Sequence, residues 1–192
     1  MKAVPIPLST GKIGWVHAGP TRSLPDDYDL IRCAEEIPVP AERIAYDVAT
    51  GDFKPFDART VVDALPDILA DLGDGRPLYV GCMGGTGRTG TMLAILVAQH
   101  PAFTGQTAIA YVRANYKAGA VETKEQEQQV LALAGAIVER APTAPIYDDF
   151  GWDLSDPVNA SAPTGGILSA IGGGFARFHE WLASWNWGRR GG

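Results

Sequence analysis

The stretch VGCMGGTGRTGT, residues 80–91, sets one cysteine, one arginine and five glycines within twelve positions. It follows the short apolar run PLYV and precedes a segment with helical spacing. Three kinds of site use a glycine-rich turn between a strand and a helix: a nucleotide P-loop, a dinucleotide-binding turn, and a loop that holds a phosphate over a nucleophile.

The residue pattern separates these three. A nucleotide P-loop requires GxxxxGK[ST], with a lysine that reaches the terminal phosphates. Here Arg88 stands before Thr89, and Cys82 takes the place of the first glycine. Residues 85–90 do satisfy GxGxxG, but a dinucleotide turn also needs an acidic residue about twenty positions on. None occurs before Glu122. The third reading asks for a thiolate, a tight loop of amides and a cation that closes the ring. Cys82, then Met83, Gly84, Gly85, Thr86 and Gly87, then Arg88 supply these in order. Glycines allow the left-handed turns that let successive N–H groups converge on an anion. A guanidinium fork matches two phosphate oxygens, and the following helix adds its N-terminal dipole. The field that holds phosphate also favours the thiolate of a cysteine. Thr89 is placed to donate to that sulfur when it leaves.

Outward from the loop, strands and helices alternate. Residues 12–17, 30–39 and 43–48 read as strands, and residues 77–80 as a short buried parallel strand. Val61, Val62, Leu65, Ile68, Leu69 and Leu72 recur at helical spacing after a cap at Asp57 or Thr60; Pro66 lies inside that helix, and Gly73 and Gly75 end it. Further helices are predicted over residues 91–99, 107–116 and 124–140. The pattern predicts an α/β domain with a central, mostly parallel sheet flanked by helices, and the loop at a strand's C-terminal end. We divide the chain into a catalytic domain at 1–140, a linker or surface-hugging segment at 141–165, and a tail at 166–192. In the tail Ile171, Phe175, Phe178, Leu182 and Trp185 mark an amphipathic helix.

At 192 residues and 46% hydrophobic content the chain suits one well-filled core. A formal net charge of -6 opposes general nucleic-acid binding, which needs clustered cations. Yet residues 76–121 hold no Asp or Glu while containing Arg76, Arg88, Arg113 and Lys117, so the segment around the loop suits a small anion. Two cysteines are too few for a disulfide framework, and the first ten residues contain no apolar run of signal-peptide type. These features make the cytoplasm the expected location. His17, His100 and His179 show no ligand spacing, so no metal is expected, and no cofactor.

The Cys-x5-Arg-Thr pattern after a strand resembles the signature of the protein tyrosine phosphatase superfamily, most closely its smaller dual-specificity branch. The resemblance covers roughly residues 43–136. It implies a cysteinyl-phosphate intermediate, a general-acid aspartate from a loop one helix upstream, and a glutamine that orients water. Asp52 in GDFKPF is the favoured acid and Asp47 in AYDVAT the alternative. VETKEQ resembles the family's water-positioning segment, with Glu122 in place of the first glutamine and Gln126 as the candidate. Arg113 matches a family arginine of structural type. Cys33 reads as a small buried strand residue, and the resemblance also makes it a candidate oxidation partner of Cys82. The residue before the cysteine is Gly81, where the family usually has histidine.

The function expected is hydrolysis of phosphate monoesters, on phosphotyrosine or mixed phosphoprotein substrates or a small phosphoester. The alternatives are nucleotide, RNA-end or inositol phosphate substrates, and a catalytically weak phosphate-binding module. Trp181, Trp185 and Trp187 with Arg177, Arg189 and Arg190 make the tail a candidate for docking on a membrane surface or a partner.

Overall fold

The computed structural model describes residues 1–137. Strands β1 (Lys2–Pro7), β2 (Ile13–Pro20), β3 (Asp29–Ala34), β4 (Ile44–Thr50) and β5 (Leu78–Cys82) form one sheet in the order β1-β2-β5-β3-β4. Only β1 runs antiparallel to its neighbour; the other pairings are parallel. Four helices flank the sheet: α1 (Ala58–Gly73), α2 (Gly87–Val97), α3 (Gly105–Asn115) and α4 (Lys124–Leu133). The linker and amphipathic tail expected at residues 141–192 lie outside the described residues.

β5 is the central strand, and all five of its residues are buried. That is the condition under which an unbroken apolar run, rather than an alternating one, makes a stable strand. α2 is buried along its whole length as well, packed against β5, α3 and α4. A helix apolar on every side is stable only in such a position. Each fully buried Leu or Ile there contributes about 1.5–3 kcal/mol. The glycine loop therefore joins two elements that cannot shift without opening the core.

Several boundaries differ from the sequence reading. β1 was not predicted, since Pro5 and Pro7 argue against a strand; the edge position accommodates them, because a prolyl nitrogen costs a ladder bond only in the sheet interior. The strand predicted to residue 39 stops at Ala34, where the chain turns through Glu35 and Glu36. α2 starts at Gly87 rather than residue 91, so Arg88 and Thr89 sit in its first turn. The helix predicted to residue 140 ends at Leu133. Gln99 Nε2 donates to the Leu133 carbonyl at 2.8 Å, and Gly135 adopts φ +71° with its amide on Ala98 O. Those contacts redirect the chain. The caps follow local chemistry: Asp57 accepts the Thr60 amide at 2.8 Å, and Thr123 with Gln126 forms a capping box at α4. Pro66 remains within α1 on its exposed side.

Candidate active site

Cys82 ends β5 and is 3% exposed. The loop that follows is built so that its carbonyls are held from behind. Thr21 Oγ1 donates to Cys82 O at 3.3 Å. Tyr116 donates its hydroxyl to Gly85 O at 2.5 Å, and Lys117 Nζ donates to the same oxygen at 2.6 Å and to Gly84 O at 3.3 Å. Burial pushes the Tyr116 phenol up, so it stays a neutral donor. With the carbonyls tied outward, the amides of Met83, Gly84, Gly85 and Thr86 are left without a protein acceptor among the described residues. Thr86 caps α2 without a side-chain bond, so the first-turn amides of that helix are free as well. The arrangement is an anion nest closed by a helix N-terminus.

Of the loop glycines only Gly85 uses a left-handed conformation, at φ +62°. A Cβ there would also fall 2.3 Å from Gly19 C and 2.4 Å from Pro20 N. Backbone packs on backbone at that point, which is how the loop is seated on the end of β2.

Arg88 is 2% exposed. Its guanidinium grips Glu36 through two bonds of 2.8 and 2.5 Å and donates to Thr50 O at 2.8 Å. Arg88 in turn holds the Glu36 carboxyl below its ordinary range. Arg88 Nη2 also lies 3.0 Å from Asp52 Oδ1. Asp52, Phe53, Cys82, Met83, Arg88 and Glu122 are among the residues around one cavity of about 210 Å³. Phe53 is exposed and takes φ +58°, an unusual conformation for a bulky residue, beside Asp52.

The two candidate acids are thus far apart in setting. Asp47 faces a separate surface recess with Arg32, its cross-strand register partner, at 3.0 and 2.5 Å. That pairing holds its carboxyl down and away from the loop, so Asp47 is not at the cavity. Asp52 is.

Gln126 is buried beside the loop. Its Oε1 accepts the Glu122 and Thr123 amides at 2.8 and 3.3 Å, whereas its Nε2 has no partner. A Cβ on Gly87 would come 3.3 Å from that nitrogen and 2.1 Å from Glu122 Oε2. Thr89 is fully buried and its Oγ1 also has no partner, so its hydroxyl is uncommitted beside the loop. Arg113 is structural, as the sequence suggested: it donates to Ala120 O, Val121 O and Glu127, fixing Val121 at φ +61° and so delivering Glu122 to the cavity. Cys33 is buried in β3, where Arg32 pairs with Gly81 of β5, which brings Cys33 next to Cys82. Both thiols are free, and burial first, then the neighbouring Cys82, pushes the Cys33 thiol well up.

Residues 39–130 match the family described as PTP-SAK, the Swiss Army Knife protein DSP-PTPase phosphatase domain. That segment is similar to the dual-specificity side of the protein tyrosine phosphatase superfamily. The chain is 45% identical over 70 residues to an uncharacterized protein of Methanocaldococcus jannaschii, MJECL20; the match spans 34% of this chain and 46% of that relative's length. Among solved structures it is similar to Tk-PTP in its active form, with 24% identity, a TM-score of 0.50, and 56% of this chain and 79% of the other covered. It is similar also to kinase associated phosphatase carrying a serine at its catalytic cysteine, with 13% identity, a TM-score of 0.54, and 72% and 96% covered. A third likeness is to PTPMT1 in complex with PI(5)P, with 17% identity, a TM-score of 0.51, and 59% and 81% covered. At these identities the likeness shows the phosphatase fold.

Glu36, Thr21, Tyr116 and Phe53 were not singled out by sequence reasoning, and Lys117 only as one of the cations in the acid-free segment around the loop. No spacing rule links Glu36 or Thr21 to a loop some fifty to sixty residues away. The short sequence that ends β3, CAEE, carries an acidic pair but no sign of which partner it meets.

Proposed function

We propose that this domain hydrolyses phosphate monoesters by way of a phosphoryl group carried on Cys82. One observation carries the reading furthest: the two buried side-chain polar atoms without partners among the described residues, Thr89 Oγ1 and Gln126 Nε2, both lie at the Cys82–Arg88 loop. Each such atom costs about 1–3 kcal/mol when buried unpaired, and a ligand in the loop would recover that cost.

In the first step the Cys82 thiolate attacks phosphorus. A sulfur–phosphorus bond forms, the bond to the leaving oxygen breaks, and Asp52 gives that oxygen its proton. The phosphate takes the place Asp52 holds on Arg88 in the resting domain, which frees the carboxyl for the leaving group. The loop amides and Arg88 carry the charge that gathers on the three remaining oxygens. In the second step a water held by Gln126 attacks phosphorus, its proton passes to Asp52, and the sulfur leaves as thiolate, accepting the Thr89 hydroxyl. A thiolate nucleophile suits a reducing compartment, in keeping with a cytoplasmic site of action.

Aryl phosphates such as phosphotyrosine are the substrate class best matched by the rim. Phe53 and Met83 expose apolar surface at 59% and 49% beside the cavity, where a flat ring can pack. Asp52 and Glu122 set two carboxylates at the same mouth. That charge disfavours a head group bearing several phosphates, and so weighs against inositol phosphates. The experiment is hydrolysis of p-nitrophenyl phosphate by the wild type and by Cys82→Ser. Vanadate-sensitive turnover that vanishes in the variant is expected; wild-type enzyme without turnover would leave only a phosphate-binding module.

A further inference from the structure

Gly81 stands directly before Cys82 in β5. A Cβ at that position would fall 2.8 Å from Thr21 Oγ1, 3.2 Å from Thr21 Cα and 3.1 Å from Leu30 Cδ1. The space beside residue 81 is therefore filled from elsewhere in the chain, chiefly by Thr21. That residue opens the short 3-10 turn Thr21–Ser23, is only 6% exposed, and spends its hydroxyl on a single bond, to the carbonyl of Cys82.

The placement of Thr21 is well determined. β2 and β5 are parallel neighbours with Pro20 in register with Cys82, so the chain leaves β2 at the level where the nucleophile leaves β5. Leu24 N closes the turn on Thr21 O at 3.0 Å, and the Tyr79 hydroxyl holds Pro20 O at 2.9 Å. In a trans peptide the carbonyl and the following N–H point in opposite directions. A Cys82 carbonyl drawn to Thr21 accordingly turns the Met83 amide away from Thr21. Cys82 and Met83 line the cavity whereas Thr21 does not, which is the arrangement a Met83 amide facing the cavity requires. Were the peptide to flip, a carbonyl oxygen would face the bound anion in place of a donor.

We propose that Thr21 is a positioning residue: its hydroxyl locks the Cys82–Met83 peptide so that the amide next to the nucleophile faces the phosphate. Tyr116 and Lys117 do the same for the peptides further round the loop, but Thr21 controls the one that adjoins the reacting sulfur. The small residue at position 81 is what admits it. The proposal rests on the phosphatase reading for its effect on turnover, while its effect on anion binding can be read without turnover.

The test compares the wild type with Thr21→Val, which keeps the shape and lacks the donor, and with Thr21→Ser, which keeps the donor. Thr21→Ala beside Thr21→Ser isolates the hydroxyl in a smaller side chain, should Val not be accommodated. Tungstate affinity by calorimetry, kcat and KM on p-nitrophenyl phosphate, and the melting curve are measured for each. Val and Ala are expected to bind tungstate about tenfold more weakly, the size of one lost hydrogen bond, and to lose kcat/KM in step, while melting as folded proteins. Ser should stay within about threefold of the wild type on both readings. Val and Ala variants that bind tungstate as the wild type does, or a Ser variant that falls as far as Ala, would overturn the proposal. A wild type that binds tungstate but hydrolyses nothing refutes the phosphatase reading alone, and the tungstate series still decides the role of Thr21. A wild type that binds no tungstate overturns both.

Discussion

Alanine at Gly85 and alanine at Gly87, two residues apart in one loop, should have opposite consequences. At Gly85 the side chain would meet main-chain atoms, 2.3 Å from Gly19 C and 2.4 Å from Pro20 N, in a residue held at φ +62°. The left-handed conformation costs an alanine roughly 1–2 kcal/mol. Relieving the overlap requires the end of β2 or the loop to move, at about 1–3 kcal/mol. The total, roughly 2–5 kcal/mol, is a large share of the about 5–15 kcal/mol that holds a domain together. At roughly 2–4 °C per kcal/mol the melting temperature should fall by about 5–20 °C. At Gly87 the overlapping atoms are the tip of exposed Glu122, 2.1 Å from the added Cβ, and Gln126 Nε2 at 3.3 Å. Glu122 can rotate aside, and alanine suits a helix better than glycine by about 0.5–1 kcal/mol. Gly87→Ala should therefore melt within about 2 °C of the wild type. Its methyl nonetheless crowds the glutamine taken to hold the attacking water, so turnover should fall at least about tenfold. Thermal melts followed by circular dichroism and p-nitrophenyl phosphate kinetics on both variants give the comparison. If Gly85→Ala melts with the wild type, the seating of the loop on β2 is wrong; if Gly87→Ala unfolds alongside it, Glu122 is not free to move.

Three further outcomes are expected. Asp52→Asn should lose about 10²–10⁴-fold in kcat on an alkyl phosphate, which needs its leaving group protonated, while Asp47→Asn, which breaks only the surface pair with Arg32, stays near the wild type. Gln126→Ala should keep the initial burst of nitrophenol and slow the steady state, because it acts on the second step; equal loss in both phases would count against a water-holding role. For Glu36, Arg88 lowers the folded-state carboxyl below its unfolded value. The pair therefore contributes stability that is fully present above the unfolded value, about pH 4.3, and is lost as pH falls through the lower folded value. Urea midpoints between neutral and acid pH should show this loss in the wild type and a shallower slope in Glu36→Gln.

What could be read from the sequence was what the chain writes locally. The distance from Cys82 to Arg88, the apolar run before it and the largely apolar helix after it are consecutive features, and they imply a phosphate loop between a buried strand and a buried helix. The cap at Asp57 was equally local. The unread parts depend on distant residues meeting. β1 contains two prolines and becomes a strand because it lies at the sheet edge against β2. The end of α4 is set by Gln99, thirty-four residues earlier. The choice between Asp47 and Asp52 turns on the register of β3 with β4, which commits Asp47 to Arg32. Glu36 and Thr21 reach the loop from turns after β3 and β2 because those strands flank β5 on either side.

The central claim is that Cys82 carries the phosphoryl group, and acid-quenched mass spectrometry tests it most directly. Gln126→Ala, mixed with p-nitrophenyl phosphate and stopped within the burst, should yield a peptide containing Cys82 heavier by one phosphoryl group, with the Cys33 peptide unchanged. Turnover with no phosphoryl group on Cys82, or undiminished turnover in Cys82→Ser, would contradict it.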